Sequence, residues 1–153
     1  MKDINYVELG LTPKSFAATS DASGLFTADF TPVFPPMDRD FVANRFIYES
    51  LVDDSISLIG QHVTDNYLEF LAIFLPLELE NGTHPIVDPE QTGVNARVAA
   101  NGLFYDGIQG ELTIKQTVDE TTKRKRAVGS FTFHIKYGLE TYAVKGQFDV
   151  TSK

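Results

Sequence analysis

The 153-residue sequence has no cysteine and no tryptophan. Without cysteine there is no disulfide staple, no thiolate nucleophile and no cysteine-type zinc site, and the redox compartment goes unread. Histidine is scarce too. His62, His84 and His134 lie far apart, with none of the H-E-x-x-H or H-x-H spacings that set two ligands on one face, so no zinc centre is expected. The G-x-S-x-G elbow, the phosphate-binding loop and the G-x-G-x-x-G turn are all missing, which removes the commonest motif-based hydrolase, phosphate-binding and dinucleotide readings. Long apolar runs are missing as well. The best, Leu68 to Leu79, carries Glu69, Pro76 and Glu78 and falls short of the ~20 residues that cross a bilayer, so no membrane span is expected. Asp3, Asn5 and Glu8 break up any secretory core near the start; as written there is no signal peptide, and the expected location is cytoplasmic unless a native leader is missing.

Positive charge is the next shortage: 13 Lys and Arg stand against 21 Asp and Glu, a formal charge of −8. Such a balance opposes phosphate backbones and anionic membranes at long range, and no nucleic-acid partner is expected. The one basic cluster, Lys123 to Arg126 in "TTKRKRAVGSFTFHIKY", follows Asp119 and Glu120. Aromatic residues that alternate inward cannot interleave with these cations as a nucleic-acid grip requires, so the cluster reads as a solvated hairpin end.

What is present is strand chemistry. The chain is long enough to bury roughly 70% of its unfolded surface in one core, and it is expected as a single domain over residues 1–153, with 1–22 as a loosely attached N-terminal segment. "GELTIKQTV", "GSFTFHIKY" and "TYAVKGQFDV" alternate with period two and predict a C-terminal three-stranded meander. Phe131, Phe133, Ile135 and Tyr137 share one face of the second strand; Tyr142, Val144, Phe148 and Val150 share one face of the third. Strict alternation puts Gly129 inward and Val128 outward, and a bulge at Gly129 would reverse this.

Upstream, "DSISLIGQ" and "NYLEFLAIFLPLELENGTHPI" predict another strand pair. The second is apolar on both faces from Leu68 to Leu75, hence central and covered on both sides by a second sheet or by a subunit; the chain is expected as a monomer or homodimer. Pro76 marks a bulge or an exit, and Asn81-Gly82 a turn. "LFTADF" and "RFIYES" add strands, joined by "TPVFPPMDRD" as an extended surface loop, and "DRDFVANRF" admits a short helix. "VNARVAANGLFYDGIQG" reads as one strand running into a turn. The sum is an all-β, antiparallel β-sandwich of about seven to eight strands.

The ordered segments "LFTADF", "DDSISLIGQ", "LEFLAIFLPLELENGTHPI", "GELTIKQTVDETTKRKRAVGSFTFHIKY" and "YAVKGQFDV" resemble a broad group of poorly characterised bacterial β-sandwich domains, often secreted or lipoproteins. Those domains carry F-x-A, G-x-[LI]-T-I, G-[ST]-F-x-F and closing G-x-F-x-[VI] strands. The resemblance spans about residues 24 to 151, implies the fold and brings no catalytic residue with it. As written, the sequence shows neither the leader nor the lipidated cysteine of the secreted members, which puts an extracellular location in doubt unless a native leader is missing.

Function is therefore narrowed mainly by exclusion. The leading expectation is a non-enzymatic binding or interaction domain for a protein or glycan, with Tyr6, Tyr48, Tyr67 and Tyr105 as candidate sugar platforms. A β-barrel-like carrier of a small apolar ligand, lined by the twelve Phe and six Tyr, is the alternative. A carboxylate-driven hydrolase comes third, with Glu69 notable for interrupting an apolar strand. No cofactor is expected. Asp38, Asp40, Asp53, Asp54 and Asp65 are the oxygen-rich candidates should loops pool them around calcium, although none follows the twelve-residue calcium loop.

Overall fold

A computed structural model describes residues 22–37, 39–50, 54–64 and 68–152. Among these the structure is all β, with no helix, and it forms eleven strands in two antiparallel sheets. In chain order they are β1 Ser23–Thr31, β2 Phe41–Val42, β3 Arg45–Glu49, β4 Ser55–Val63, β5 Leu68–Pro76, β6 Gly82–Ile86, β7 Asn95–Ala100, β8 Leu103–Asp106, β9 Ile108–Val118, β10 Lys125–Tyr137 and β11 Glu140–Thr151. One sheet runs β2-β1-β11-β10-β9-β6 and the other β3-β4-β5-β7-β8.

Eleven strands replace the seven to eight expected because short edge pieces leave little periodic signal. Phe41–Val42 is a two-residue strand beside β1 where a short helix was admitted. "VNARVAANGLFYDG" is two strands rather than one, folded at Asn101-Gly102, where φ is 54° and 74°. Two successive positive φ values suit a type I′ hairpin, for which Asn-Gly is a favoured pair. The segment "TPVFPPMDRD" does not simply cross the surface. Its Phe34 and Met37 are buried in the core.

The meander forms as its periodicity requires. Phe131, Phe133 and Ile135 of β10 and Tyr142, Val144, Phe148 and Val150 of β11 are buried on the face that meets the core. No bulge occurs at Gly129. It pairs in register with Ile114 and Phe148, and an added Cβ would lie 2.0 Å from the Thr113 carbonyl oxygen and 2.9 Å from the Phe148 ring. Close packing under a ring thus explains the glycine, Ala127 supplies the next core contact, and Val128 faces out. The register shift lies instead between Thr132 and His134 against β9.

The largest core cluster takes side chains from both sheets. At its middle the Phe26 ring lies 5.7 Å from both Phe131 and Phe148 and meets Phe41 edge-on at 6.3 Å. Each fully buried Phe contributes about 1.5–3 kcal/mol through apolar area, and favourable ring pairs add about 0.5–1.5 kcal/mol. The other face of the six-stranded sheet is wet. Thr83, Thr113, Ser130, Gln147 and Thr27 form one polar row across five of its strands.

The five-stranded sheet is apolar on both faces. Its central strand β5 sends Leu71, Ile73 and Leu75 into the shared core, while Leu68, Phe70 and Ala72 join Ile47, Ile59 and Ala99 in a second buried cluster. Every described member of that second cluster comes from this sheet. β5 ends at Pro76, which closes the ladder opposite Ser55.

The basic hairpin end is built by Asp119, whose Oδ1 accepts the Thr121 and Thr122 amides at 2.8 and 3.1 Å. Lys123 to Arg126 are exposed there. Arg126 pairs with Asp149 on β11 at 2.7 Å.

Candidate functional site

The residues nominated from sequence do not converge. Tyr6, Tyr67, Asp38, Asp53 and Asp65 lie outside the described residues. Tyr48 is buried in the shared core and its hydroxyl donates to Gln116 Oε1 on β9, tying one sheet to the other. Burial pushes the Tyr48 hydroxyl pKa up to about 12. Tyr105 is buried too, its ring edge-on to Phe34 at 5.2 Å. Neither ring offers an open face on which a sugar could stack. Asp40 is exposed just before β2, and Asp54 sits at φ 64° just before β4, a left-handed position that Asp tolerates. Among the described residues, no three His, Asp or Glu side chains gather where they could hold a metal ion. His84 lies within β6, with Nε2 2.6 Å from the Glu80 carbonyl oxygen, and His62 within β4, with Nδ1 3.0 Å from that of Val42.

Glu69 is the most unusual titratable group. It is 3% exposed, sits opposite His62 in the β4–β5 ladder, and accepts a 2.6 Å hydrogen bond from Arg39. Burial raises its pKa above the usual carboxylate value; the charges of Arg39 and His62 and the Arg39 hydrogen bond pull the other way. The carboxylate is thus the buried half of an ion pair. Arg39 also donates to the Met37 carbonyl at 2.8 Å, fixing the loop that carries Phe34 and Met37. This geometry positions a loop and needs no catalytic role.

The second apolar face holds three polar atoms that folding leaves unsatisfied. Ser57 and Gln61 alternate with Ile59 along β4, are fully buried, and neither the Ser57 hydroxyl nor either atom of the Gln61 amide has a hydrogen-bond partner. Across the ladder Gln61 faces Arg45 and Phe70. An unpaired buried polar group costs about 1–3 kcal/mol, so this position needs an explanation. Farther along the same face, Arg97 bonds Asp106 at 2.7 Å and lies 5.9 Å from the centre of the Phe104 ring.

One end of the molecule is aromatic. Phe34 lies at its centre, 5.1 Å from Phe30, 5.4 Å from Tyr142 and 5.5 Å from Tyr137. Around this buried knot the surface is apolar: Val33, beside Phe34, is 61% exposed, Leu103, two residues before Tyr105, 52%, Tyr137 36%, and Leu139 is wholly exposed at 106%. Sequence reading missed these residues. The available signal was "YGLETY", where a leucine occupies a hairpin turn that polar residues normally fill. Comparison with known protein families, with curated proteins and with solved structures returned no match.

Proposed function

We propose that this chain is a non-enzymatic binding or interaction domain whose two sheets pack as a β-sandwich and whose aromatic end makes the contact. The single observation that carries this reading is the set of exposed apolar side chains around Phe34, crowned by Leu139, for which folding provides no reason. The buried carboxylate of Glu69 is committed to Arg39, which leaves the hydrolase reading with the weakest support. Of the two partners expected from sequence, a protein or a glycan, the glycan is the less well matched, because the described tyrosines nominated as platforms lie inside the core. The resemblance to bacterial β-sandwich domains is compatible with such a role and adds no residue to it.

A photo-crosslinking residue placed at position 139 in cells, compared with one at Thr113 on the wet sheet face, tests the reading. Adducts are expected at 139 and not at 113. Equal labelling at both, or none at 139, would remove the aromatic end as the contact.

A second reading, carriage of a small apolar molecule, is favoured by Gln61 and Ser57. A ligand's polar head would satisfy their orphaned groups, and its apolar body would have to take the place of whatever already buries Ile59 and Phe70, both fully buried. Native mass spectrometry of gently purified protein is the test. A mass equal to that of the bare chain, unchanged after incubation with lauric acid or lauramide, would sink it.

A further inference from the structure

The β10–β11 hairpin closes tightly. Tyr137 pairs with Glu140, so Gly138 and Leu139 alone make the turn, with Gly138 at φ 63°. A glycine in the first central position answers the backbone demand of such a turn, and the second position accepts almost any polar residue. Leucine stands there instead, in water on all sides. Single exposed apolar residues are ordinary, but Val33, Leu103, Tyr137 and Leu139 all lie within two residues of Phe34 or of a ring that touches it. They form the apolar rim of one end.

The form of that rim limits what it fits. Four side chains on a protruding tip expose at most a few hundred Å², well below the roughly 800 Å² per partner of a stable protein interface. A convex tip also makes a poor match for its own copy. A lipid interface needs no preformed pocket, takes up isolated apolar side chains, and receives tyrosine at headgroup level. Charge narrows the choice further. Lys136 and Glu140 offset each other beside the turn, so the tip itself carries no net attraction for anionic lipid, while the chain's −8 opposes it.

We propose that the aromatic end docks on the surface of an electrically neutral lipid layer, with Leu139 and Val33 inserted, Leu103 at the margin and Tyr137 at the headgroups. The proposal rests on the aromatic end being the contact surface. It involves no membrane span.

The test is flotation of the full chain with phosphatidylcholine vesicles. Binding is expected, and Leu139→Asp and Val33→Asp should each lower the bound fraction about tenfold, an effect of the size that moving a charge into an apolar interface brings. Val118→Asp, an exposed apolar position at the opposite end of β10, should leave binding unchanged. Because Leu139 makes no packing contact, Leu139→Asp should keep the wild-type melting temperature, which separates loss of docking from loss of fold. Adding phosphatidylglycerol should weaken binding. Wild-type protein that stays at the bottom of the gradient overturns the lipid proposal, as does a Leu139→Asp variant that floats equally well. If flotation fails while the residue at position 139 still crosslinks to a protein, the lipid proposal falls and the binding reading stands. Failure of both removes the two together.

Discussion

The two sheets use the same strand geometry to opposite ends. In the six-stranded sheet each strand keeps one face for the core and gives the other to water: Phe131 and Phe133 point in, Ser130 and Thr132 point out, and the outward rows are mainly polar, with Thr, Ser, Gln, Lys and Asp beside a few exposed apolar residues such as Val128. In the five-stranded sheet both faces of β5 are apolar and buried, and polar side chains on β4 are trapped rather than solvated. The contrast separates two kinds of strand. One kind is held by alternation and hydration together. The other has no wet face to fix its register and relies on packing alone.

The largest test of that contrast compares one core residue from each face. Phe131→Ala, in the cluster shared by both sheets, should cost about 3–5 kcal/mol in urea unfolding, and Ile59→Ala, in the second cluster, about 2–5 kcal/mol. Comparable losses would show that the second face is packed as tightly as the first. A loss under ~1 kcal/mol for Ile59→Ala would mean that the second face relaxes, and that the five-stranded sheet is one-sided in practice.

Next in size is an effect of opposite sign. Gln61→Leu removes an amide that has no partner and replaces it with an apolar side chain of similar volume, so stability should rise by about 1–2 kcal/mol. The matched change on the wet sheet, Ser130→Leu, should stay within about 0.5 kcal/mol. Destabilisation by Gln61→Leu would show that the amide is bonded in solution, and the two sheets would then differ less than their burial indicates.

These differences also explain what the sequence made legible. Period two survives where one face is wet, so "GSFTFHIKY" and "TYAVKGQFDV" yielded both their strands and their inward residues. The "LEFLAIFL" run of β5, apolar on both faces apart from Glu69, announced a central strand covered on both sides, and β5 is the centre of its sheet. Short edges carry too few residues to show a period, which hid β2 and left β8 unread as a strand separate from β7. A buried Phe34 could not be inferred within a proline-rich loop, because its burial depends on rings from β8, β10 and β11 that are remote in sequence. The candidate tyrosines failed to assemble for the same reason: a tyrosine shows no direction in sequence, and Tyr48 and Tyr105 both point inward.

A smaller effect separates a buried charge from a solvated one. In Glu69 the folded pKa is raised, so the folded state holds the proton more tightly than the unfolded chain. Its contribution is fully present below the ordinary value of 4.5 and is lost as pH rises through the folded value. Relative to wild type, Glu69→Gln should therefore gain stability over that window and then level off; Arg39, being partly exposed, stays hydrated without its partner. The difference between paired urea titrations from pH 4 to 8 isolates this group from other carboxylates. A difference that runs the other way would mean that Arg39 outweighs burial.

The smallest effect lies on the wet sheet. Arg126 grips Asp149 with two hydrogen bonds, 2.9 and 2.7 Å, and chiefly through them holds the carboxyl below its ordinary 3.8. The sign is the reverse of that for Glu69: the contribution is present above 3.8 and is lost as pH falls through the lower folded value. Both side chains are well exposed, so water and salt screen most of the attraction. Asp149→Asn should accordingly shift the neutral-pH urea midpoint only within the scatter of surface substitutions, and 1 M NaCl should erase what difference there is. A salt-resistant loss as large as that of a core truncation would mean that the ladder of β1, β10 and β11 depends on this pair, and that the outer face of the six-stranded sheet contributes more to the fold than hydration of its polar rows provides.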